Sequence, residues 1–314
     1  MAEFRLHTLG CGSAKPTPRH NPACTVLDIR DRLFMIDCGE GAQKEFQRQR
    51  LKFNRLNHIF ITHTHGDHIL GLPGLLGTLA LSGCDGEVTV HVFAEAIPLL
   101  KKMVSFFCGT LPYSLVFNPL QPEETIILDM KHLRVRTVPL RHRVPVVGFI
   151  FEEKEKARHL NREMADFHNL PLALRQRIKN GEDFTKEDGT IIPNHILTTP
   201  ADPSFSYVHI SDTAYIAELA EKIKGCTLLY HETTYLEQNI ADAENRGHST
   251  ARQAAETALH AGAQALLTGH YSSRYRDESL FAEEAREVFP NVILNREGLE
   301  IDIPSLSDMF KARP

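Results

Sequence analysis

The sequence predicts an α/β protein in which two β-sheets pack together and helices cover their outer faces. Two observations lead to this fold class. Short strand-like runs open the chain, and strand-like and helical segments alternate along most of the remainder. The chain has 314 residues, a length that fits one or two domains. We expect one domain over residues 1–314 that carries an insertion.

The first strands are predicted from apolar, β-branched runs that are separated by Gly, Pro, Asn and Asp. In chain order these runs read FRLHTLG, ACTVLDI, RLFMIDCG, NHIFIT and VTVHVFA. Apolar residues at helical spacing predict a helix near 68–82, between the last two strands, and another over about 94–107. Strand–helix alternation therefore begins at NHIFIT.

Later strands are predicted at LRVRTVPL, SYVHIS, TLLYHE, ALLTGHY and NVILN. Helical patterns lie between or after them at about 214–224, 249–262 and 279–288, with Ser249 expected as the N-cap of the middle one. The segment 153–205 begins with a charged run and has only weak apolar periodicity. A stretch of this length indicates an inserted arm or lid, and a solvated surface excursion is the alternative.

Composition excludes several classes of protein. Apolar residues make up 42% and charged residues 24%, and no apolar run is long enough for a membrane span, so we expect a protein without a membrane partner. The N-terminus lacks the features of a secretory signal, which predicts a cytoplasmic protein. Six widely spaced cysteines without a C-x-x-C pair predict free, mostly buried thiols.

Charge and histidine content direct the search for function. The net charge of −5 argues against a generally basic nucleic-acid binder, although residues 15–55 hold nine Lys/Arg against five Asp/Glu and leave room for a local basic patch. The chain has 17 histidines, and neutral imidazole is a common metal ligand. A metal site is the first hypothesis to test along the chain.

The run THTHGDH places three histidines and an aspartate directly after a predicted strand. His63 and His65 are two residues apart, so their side chains point the same way in an extended segment. Gly66 permits a sharp turn, after which Asp67 and His68 can come from the start of the next helix. Imidazoles with a carboxylate suit zinc, manganese or iron, and the run therefore predicts a metal site.

Further candidate ligands stand where later strands are predicted to end. A catalytic metal ordinarily has three protein ligands and an open position, so four clustered candidates suggest two metals. His142, Asp212 and His270 each follow a predicted strand. Each of them alone is typical of a cap or a turn, but their repeated placement at strand ends favours ligands of the same site.

These residues carry a resemblance to the metallo-β-lactamase superfamily and, over nearly the whole chain, to its ribonuclease Z family of tRNA 3′-processing endonucleases. FMIDCGEGAQKEFQR, HRVPVVGF and HISDT look like motifs of that family. HETT at 231–234 and HST at 248–250 resemble two of its short loops. The resemblance implies a four-layer αβ/βα metallo-β-lactamase sandwich in which segment 153–205 is a protruding arm that binds tRNA.

The resemblance also implies a ligand set for two zinc ions per subunit, with Mn2+ or Fe2+ as alternatives. The implied ligands are His63, His65 and His142 for one ion, Asp67, His68 and His270 for the other, and Asp212 as a bridge. Two such ions activate a water molecule near neutral pH and stabilise the departing oxygen of a phosphodiester. The implied reaction is removal of 3′ trailers from tRNA precursors.

Catalytic roles follow from the same resemblance. Asp67 would accept a proton from the attacking water, and His248 would protonate the leaving 3′ oxygen while Glu232 orients it. A carboxylate is suited to hold an imidazole and raise its pKa. Asp37, in the IDCGEG run, is expected to order the site through hydrogen bonds instead of binding metal.

Substrate contacts are expected in two places. Lys15 and Arg19 lie in a loop that resembles the family's loop for the tRNA 3′ region. Arg175, Arg177 and Lys179 lie in the arm, whose usual Gly-Pro-rich tip is replaced here by NLPLALRQR. Homodimerisation is a further expectation from the family, in which one subunit's arm serves the partner's active site.

Two other functions compete with the tRNA endonuclease. One is a related dinuclear hydrolase acting on small phosphodiesters or sulfate esters, which would need neither a long arm nor dedicated leaving-group residues. The other is a non-catalytic RNA-binding module with a vestigial site. The full set of candidate ligands argues against the second of these.

Overall fold

Seven strands form the first sheet of this computed structural model, which describes residues 4–311. They are β1 (Phe4–Gly10), β2 (Cys24–Ile29), β3 (Arg32–Ile36), β4 (Leu56–Phe60), β5 (Glu87–Phe93), β6 (Ser114–Leu120) and β18 (Glu300–Asp302). Their spatial order is β18-β1-β2-β3-β4-β5-β6. Pairing is antiparallel from β18 to β3 and parallel from β3 to β6, so the parallel strands end at the same edge.

The second sheet also has seven strands. They are β7 (Ile126–Asp129), β8 (Leu133–Pro139), β9 (Val147–Glu153), β14 (Ser206–Ile210), β15 (Leu228–Glu232), β16 (Ala265–Gly269) and β17 (Val292–Ile293). Their spatial order is β17-β16-β15-β14-β9-β8-β7, and β14 to β17 pair in parallel. The carboxyl ends of β14, β15 and β16 therefore lie side by side.

Aromatic side chains fill the space between the two sheets. Phe60 of β4 lies 5.3 Å, centroid to centroid, from both Phe149 and Phe151 of β9, and Phe34 of β3 lies 6.1 Å from Phe151. All four rings are fully buried or nearly so. Rings packed edge to face in this way bury a large apolar area between the sheets.

Helices pack on the outer faces of both sheets. They are α1 (Ala42–Arg48), α2 (Gly66–Ile69), α3 (Leu72–Leu81), α4 (Ile97–Cys108), α8 (Leu219–Lys222), α9 (Ile240–Arg246), α10 (Ala251–Ala261), α11 (Ser279–Arg286) and α12 (Leu306–Lys311). Leucines of α3 join the apolar cluster on the first sheet, and alanines of α10 join that on the second. This helix–sheet–sheet–helix order confirms the predicted four-layer sandwich.

Three local expectations were wrong. The helix expected near 68–82 is divided into α2 and α3, because Pro73 lies in the first turn of α3 and its ring would clash with a preceding helical carbonyl. The helix expected over 214–224 is only the short α8. The N-cap of α10 is Thr250 instead of Ser249, and Gln253 completes its capping box.

Segment 153–205 lies within a compact unit of its own, formed by residues 128–134 and 152–205. Its elements are β10 (His159–Leu160), α5 (Arg162–Phe167), α6 (Arg175–Lys179), β11 (Phe184–Thr185), β12 (Ile191–Ile192), α7 (Asn194–Leu197) and β13 (Thr198–Thr199). Strand β10 pairs with β13 and β11 with β12. Ala165, Ile178, Phe184 and Leu197 belong to a small buried cluster, so the segment has apolar packing of its own.

Two further expectations can be compared with the structure. All six cysteines are free, and all except Cys108 are buried, as predicted. Among residues 4–311, no helix is both long and apolar enough to cross a membrane.

The first sheet contains a buried histidine pair that predicts acid sensitivity. His91 of β5 stacks on Phe60 at 4.3 Å, accepts a hydrogen bond from Asn118 at 2.9 Å and lies 3.3 Å from the Nδ1 atom of His58. Burial lowers the pKa of His91 to about 3 and that of His58 to about 4. Neutral imidazoles are therefore part of the folded sheet.

Because both pKa values are depressed below the ordinary 6.5, the unfolded chain binds more protons, and stability falls as the pH drops through 6.5 towards 4. Between pH 7 and pH 4.5, the unfolding free energy of His91→Gln should decrease less than that of the unmodified protein, by on the order of 1–2 kcal/mol. Urea titrations at the two pH values measure this difference. His260→Gln, at an exposed helix end, is the control, and an equal effect in both variants would contradict the assignment.

Candidate metal centre

Five candidate side chains come from the ends of strands. His63 follows β4, His142 follows β8, Asp212 follows β14, Glu232 ends β15 and His270 follows β16. All five side chains are buried or nearly so. They belong to the larger of two compact units, which comprises residues up to 127, 135–151 and from 206 onward. The parallel pairing of β14, β15 and β16 brings three of them to one edge.

Close backbone packing positions the segment that carries Asp67 and His68. The Cys38 amide donates to the His68 carbonyl at 2.8 Å, and the Gly71 amide donates to the Cys38 carbonyl at 2.9 Å. A Cβ on Gly39 would stand 2.5 Å from the Asp67 carbonyl oxygen, and one on Gly71 would stand 2.2 Å from the Gly39 carbonyl oxygen. Glycine at both positions is therefore required for α2 to approach the loop after β3.

The first group of ligand atoms comes from His63, His65, His142 and Asp212, whose atoms all lie within 4.8 Å of one another. Nδ1 of His65 lies 3.1 Å from Nε2 of His63 and 3.3 Å from Nε2 of His142. Two ligand atoms on one tetrahedral zinc, each about 2.1 Å from it, stand roughly 3.4 Å apart. The spacing of this group fits one zinc ion.

The second group comes from Asp67, His68 and His270. Nε2 of His270 lies 3.3 Å from both Nε2 of His68 and Oδ2 of Asp67, and Nε2 of His68 lies 3.5 Å from the same Oδ2. These separations match those in the first group. Two imidazoles and a carboxylate form a donor set suited to zinc, manganese or iron.

Asp212 faces both groups. Its Oδ2 lies 3.7 Å from Nε2 of His63 and 3.8 Å from Nε2 of His142, whereas its Oδ1 lies 3.2 Å from Nε2 of His270 and 3.6 Å from Nε2 of His68. Oδ1 is buried and has no hydrogen-bond partner among the described residues. A buried carboxylate oxygen in this state fits coordination of a cation, and the side chains present therefore suit a two-metal site.

Hydrogen bonds at Nδ1, on the side of the ring that points away from the site, orient two of these imidazoles. Nδ1 of His142 donates to the Gly247 carbonyl at 2.7 Å, and Nδ1 of His68 lies 2.7 Å from Oδ2 of Asp37. Asp37 also accepts from the amide of Thr62 at 2.8 Å. Asp37 thus makes hydrogen bonds behind the candidate ligands, and Nε2 of both imidazoles is left to face the site.

The electrostatics of the site favour neutral imidazoles in the first group and an ionised Asp67 in the second. Burial lowers the pKa of His63, His65 and His142 below the ordinary value. Burial raises the pKa of Asp67, but its hydrogen bonds with His270 and His68 outweigh this and hold it well below its usual range. Burial lowers the pKa of His68, yet the nearby carboxylates raise it overall, so positive charge is attracted to this position.

Buried Glu232 pairs with His248 beside the second group. Nδ1 of His248 lies 2.9 Å from Oε1 of Glu232, which also accepts from the amides of Thr213 and Ser249. Burial lowers the pKa of His248, but the carboxylate of Glu232 more than compensates and raises it to about 9. Burial raises the pKa of Glu232, and His248 in turn lowers it to about 2.

The cleft above the ligands is lined by residues that sequence analysis did not identify. It has a volume of about 190 Å³ and contains Tyr235 and three arginines, Arg143, Arg246 and Arg274. Arg274 lies 4.8 Å from the Tyr235 ring centroid and donates to Asp242 at 2.7 Å. In the sequence, Arg143 lies within HRVPVVGF, Arg246 shortly before HST and Arg274 shortly after His270. These positions were the sequence signal for the three arginines, but a lone arginine in a loop predicts no specific function.

The loop with Lys15 and Arg19 borders the same cleft. Ser13 and Ala14 line it, and the Ala14 amide donates to Oδ2 of Asp67 at 2.7 Å. The guanidinium of Arg19 donates to the Tyr275 and Arg276 carbonyls at 2.7 Å each and to Glu278. Arg19 therefore anchors the loop, while its predicted phosphate contact, like that of Lys15, stays a prediction.

The predicted contact residues of the arm are partly engaged within the arm itself. Arg177 pairs with Glu182 at 2.6 Å and Arg175 with Asp166 at 3.3 Å. Lys179 is half-buried at the end of α6. Residues 153–205 contain eight Lys/Arg and nine Asp/Glu, so net charge does not favour phosphate binding there.

Comparison with known proteins places this site in context. A family model of the Anti-Pycsar protein Apyc1 matches residues 4–82. Ribonuclease Z of Bacteroides thetaiotaomicron is 47% identical over 309 residues, which cover 98% of this chain and 98% of that protein. Ribonuclease Z of Bacteroides fragilis is 46% identical over 304 residues, covering 96% and 100%.

Among solved structures, the short form of human tRNase Z is similar with a TM-score of 0.70. It is 21% identical in sequence, and the match covers 96% of this chain and 99% of the human chain. At that identity the similarity concerns the fold alone, and it agrees with the sandwich described above.

Proposed function

This chain belongs to the ribonuclease Z family, and we propose that it removes 3′ trailers from tRNA precursors as a dinuclear zinc endoribonuclease in the cytoplasm. It is a metal-dependent phosphodiester hydrolase of tRNA 3′ processing. The observation that carries the finer proposal is the bridging position of Asp212, with one carboxylate oxygen towards each group of ligand atoms.

The proposed ligands are those whose atoms are grouped in the structure. His63, His65 and His142 would hold one ion, Asp67, His68 and His270 the other, and Asp212 both. When bound, two such cations supply the charge that acidifies a water molecule and neutralises the phosphate in the transition state. Zinc suits this ligand set of five imidazoles and two carboxylates, and Mn2+ or Fe2+ would suit it too.

Asp67 is proposed to accept the proton of the attacking water. Among the described residues, the hydrogen bonds and ion pairs of its carboxylate involve Oδ2, which faces Ala14, His68 and His270. Oδ1 remains for a water molecule in the cleft. The side chain is one-tenth exposed, enough for solvent to reach it while its position stays fixed.

His248 is proposed to protonate the leaving 3′ oxygen. Its Nδ1 is held by Glu232, so the proton available for transfer is on Nε2. The ring lines the same cleft as Asp67 and lies 14% exposed, whereas Glu232 is fully buried and can act only through His248. Glu232 is thus a positioning residue for the proton donor.

Binding of RNA needs positive charge near the site, because the chain as a whole is acidic. Arg143, Arg246 and Arg274 supply it in the cleft, and Lys15 and Arg19 stand in the bordering loop. Arg274 over Tyr235 also offers a flat surface on which a base can stack. We assign the arm, including Arg175, Arg177 and Lys179, a further contact with the tRNA body.

The two competing functions are less well supported. A hydrolase of small phosphodiesters or sulfate esters is not favoured, because relatives that match over nearly the entire chain are named ribonuclease Z. A non-catalytic RNA-binding module would not need two complete groups of ligand atoms around a shared carboxylate.

Homodimerisation is supported by apolar side chains exposed on α3 and α4. Leu81, Leu99, Phe106 and Phe107 are 91%, 62%, 81% and 70% exposed, and the two phenylalanine rings lie 5.0 Å apart. The two helices pack against each other, since a Cβ on Gly77 would stand 3.1 Å from the Cys108 sulfur. Such a patch is typical of a surface covered by a second subunit.

Cleavage of a tRNA precursor with a 3′ trailer tests the reaction. Metal-loaded enzyme should make one cut near the end of the acceptor stem, and a chelator should abolish it. Asp67→Ala should remove activity, because a ligand and the proton acceptor are both lost, and His248→Ala should lower kcat by about 100- to 10,000-fold. End-mapped gels measure both. Full activity in His248→Ala would rule out its role as proton donor.

Phosphate contacts by the cleft arginines can be tested through salt dependence. Arg274→Ala should raise KM and reduce the slope of log KM against log salt concentration by about 0.7 for each lost contact with single-stranded RNA. Arg252→Ala is the control, because its guanidinium pairs with Glu287 at 2.9 Å and does not line the cleft. Equal slopes for both variants would show that Arg274 does not bind phosphate.

The dimer surface predicts a change in oligomeric state. Phe106→Asp should convert the dimer to a monomer at concentrations where the unmodified protein is dimeric, since a charge would be buried at the apolar contact. Sedimentation velocity measures this. Phe167→Asp, at an exposed ring in the arm, is the matched control. A dimer that persists in Phe106→Asp but dissociates in Phe167→Asp would assign the contact to the arm.

A further inference from the structure

In two candidate metal ligands, the imidazole nitrogen that points away from the site contacts a threonine hydroxyl. Nδ1 of His63 lies 3.1 Å from Oγ1 of Thr62, and Nδ1 of His270 lies 2.8 Å from Oγ1 of Thr234. Thr62 is fully buried and Thr234 is 3% exposed. The outer partner of a metal-bound imidazole selects which ring nitrogen is free for the metal, so these two hydroxyls have consequences for the site.

Thr62 has only one hydroxyl proton to donate. Its Oγ1 lies 2.9 Å from Oδ2 and 3.0 Å from Oδ1 of Asp37, and a carboxylate can only accept. With its proton directed to Asp37, the Thr62 oxygen has lone pairs left to accept. Nδ1 of His63 must then be the protonated nitrogen, and Nε2 is left free to face the site.

Thr234 repeats this arrangement on the other side of the centre. Its Oγ1 donates to Oε2 of Glu232 at 2.6 Å and therefore accepts from Nδ1 of His270. Nε2 of His270 is again left free, 3.2 Å from Oδ1 of Asp212. At each of the two histidines, a carboxylate behind the threonine fixes the direction of the threonine hydroxyl. This selects the neutral tautomer that is protonated on Nδ1.

We propose that Thr62 and Thr234 are positioning residues that set the tautomers of His63 and His270 and thereby the affinity of the two metal positions. This inference deepens the proposed function and rests on it for the identity of the site. It is carried by two carboxylate–threonine–histidine chains, Asp37–Thr62–His63 and Glu232–Thr234–His270.

Each carboxylate also holds a second functional imidazole. Asp37 bonds Nδ1 of His68, and Glu232 bonds Nδ1 of His248, at 2.7 and 2.9 Å. The first chain therefore links one ligand from each metal position, and the second links a ligand to the proposed proton donor. Thr234 connects metal binding with leaving-group protonation through a single hydroxyl.

Isosteric and conservative substitutions separate this role from simple packing. Thr→Val keeps the shape and removes the hydroxyl, whereas Thr→Ser keeps the hydroxyl and removes the methyl group. The carboxylates stay hydrogen-bonded in either variant, because Asp37 retains the amide of residue 62 and Glu232 retains the amides of residues 213, 234 and 249. If the two threonines acted through packing alone, Thr→Val would leave zinc affinity unchanged and Thr→Ser would weaken it.

The test is zinc titration of the metal-free full-length protein in competition with a chromophoric chelator, which gives one dissociation constant for each metal position. Thr62→Val and Thr234→Val should each weaken one position by about 10- to 100-fold. Thr62→Ser and Thr234→Ser should stay close to the unmodified protein. Thermal unfolding of the metal-free variants confirms that each is folded, and if one Val variant does not fold, the other carries the test alone.

The outcomes divide cleanly. Val variants that bind both zinc ions as tightly as the unmodified protein, or Ser variants that are weakened as much as Val, would overturn the inference. Because zinc affinity is measured without RNA, a chain that binds two ions normally yet fails to cut a tRNA precursor would contradict the proposed function and leave the threonine roles standing.

Discussion

The carboxylate of Asp212, held between two groups of ligand atoms, is the constraint on which the rest of the structure depends. A buried carboxylate whose Oδ1 has no hydrogen-bond partner between residues 4 and 311 is costly unless positive charge stands beside it. Each oxygen faces one group of imidazoles, so one residue links the two groups of candidate ligand atoms. The two sheets then have to end their strands at the distances that this arrangement requires.

Two residues at the candidate metal centre have an uncommon backbone conformation. Asp37 and His270 both adopt the left-handed region, with φ of 57° and 61°, although neither is glycine. Such conformations cost on the order of 1 kcal/mol and persist where surrounding contacts hold them. Here the hydrogen bonds of Asp37 with Thr62 and His68, and of His270 with Thr234, supply those contacts and aim both side chains inward.

Charge is distributed unevenly over this acidic chain. Carboxylates dominate behind the ligands, where Asp37 and Glu232 hold imidazoles, whereas arginines dominate in the cleft above them. This order suits a reaction at a phosphate, since carboxylates behind the imidazoles hold them in place and cations in the cleft attract a polyanion. Residues 153–205 have no such excess of positive charge, with eight Lys/Arg against nine Asp/Glu.

The sequence by itself determined the layered fold, the run of candidate ligands at 63–68 and the later candidates at strand ends, because these follow from local periodicity and from the limited chemistry of clustered histidines. It did not predict the division of the helix at Pro73, the cap at Thr250 or the core of the arm. Only tertiary structure decided which arginines line the cleft, that Arg19 is held by carbonyls near residue 275, and that threonines stand behind two candidate ligands. Those facts depend on contacts between segments up to about 260 residues apart, and no local pattern in a single chain records which distant atoms will become neighbours.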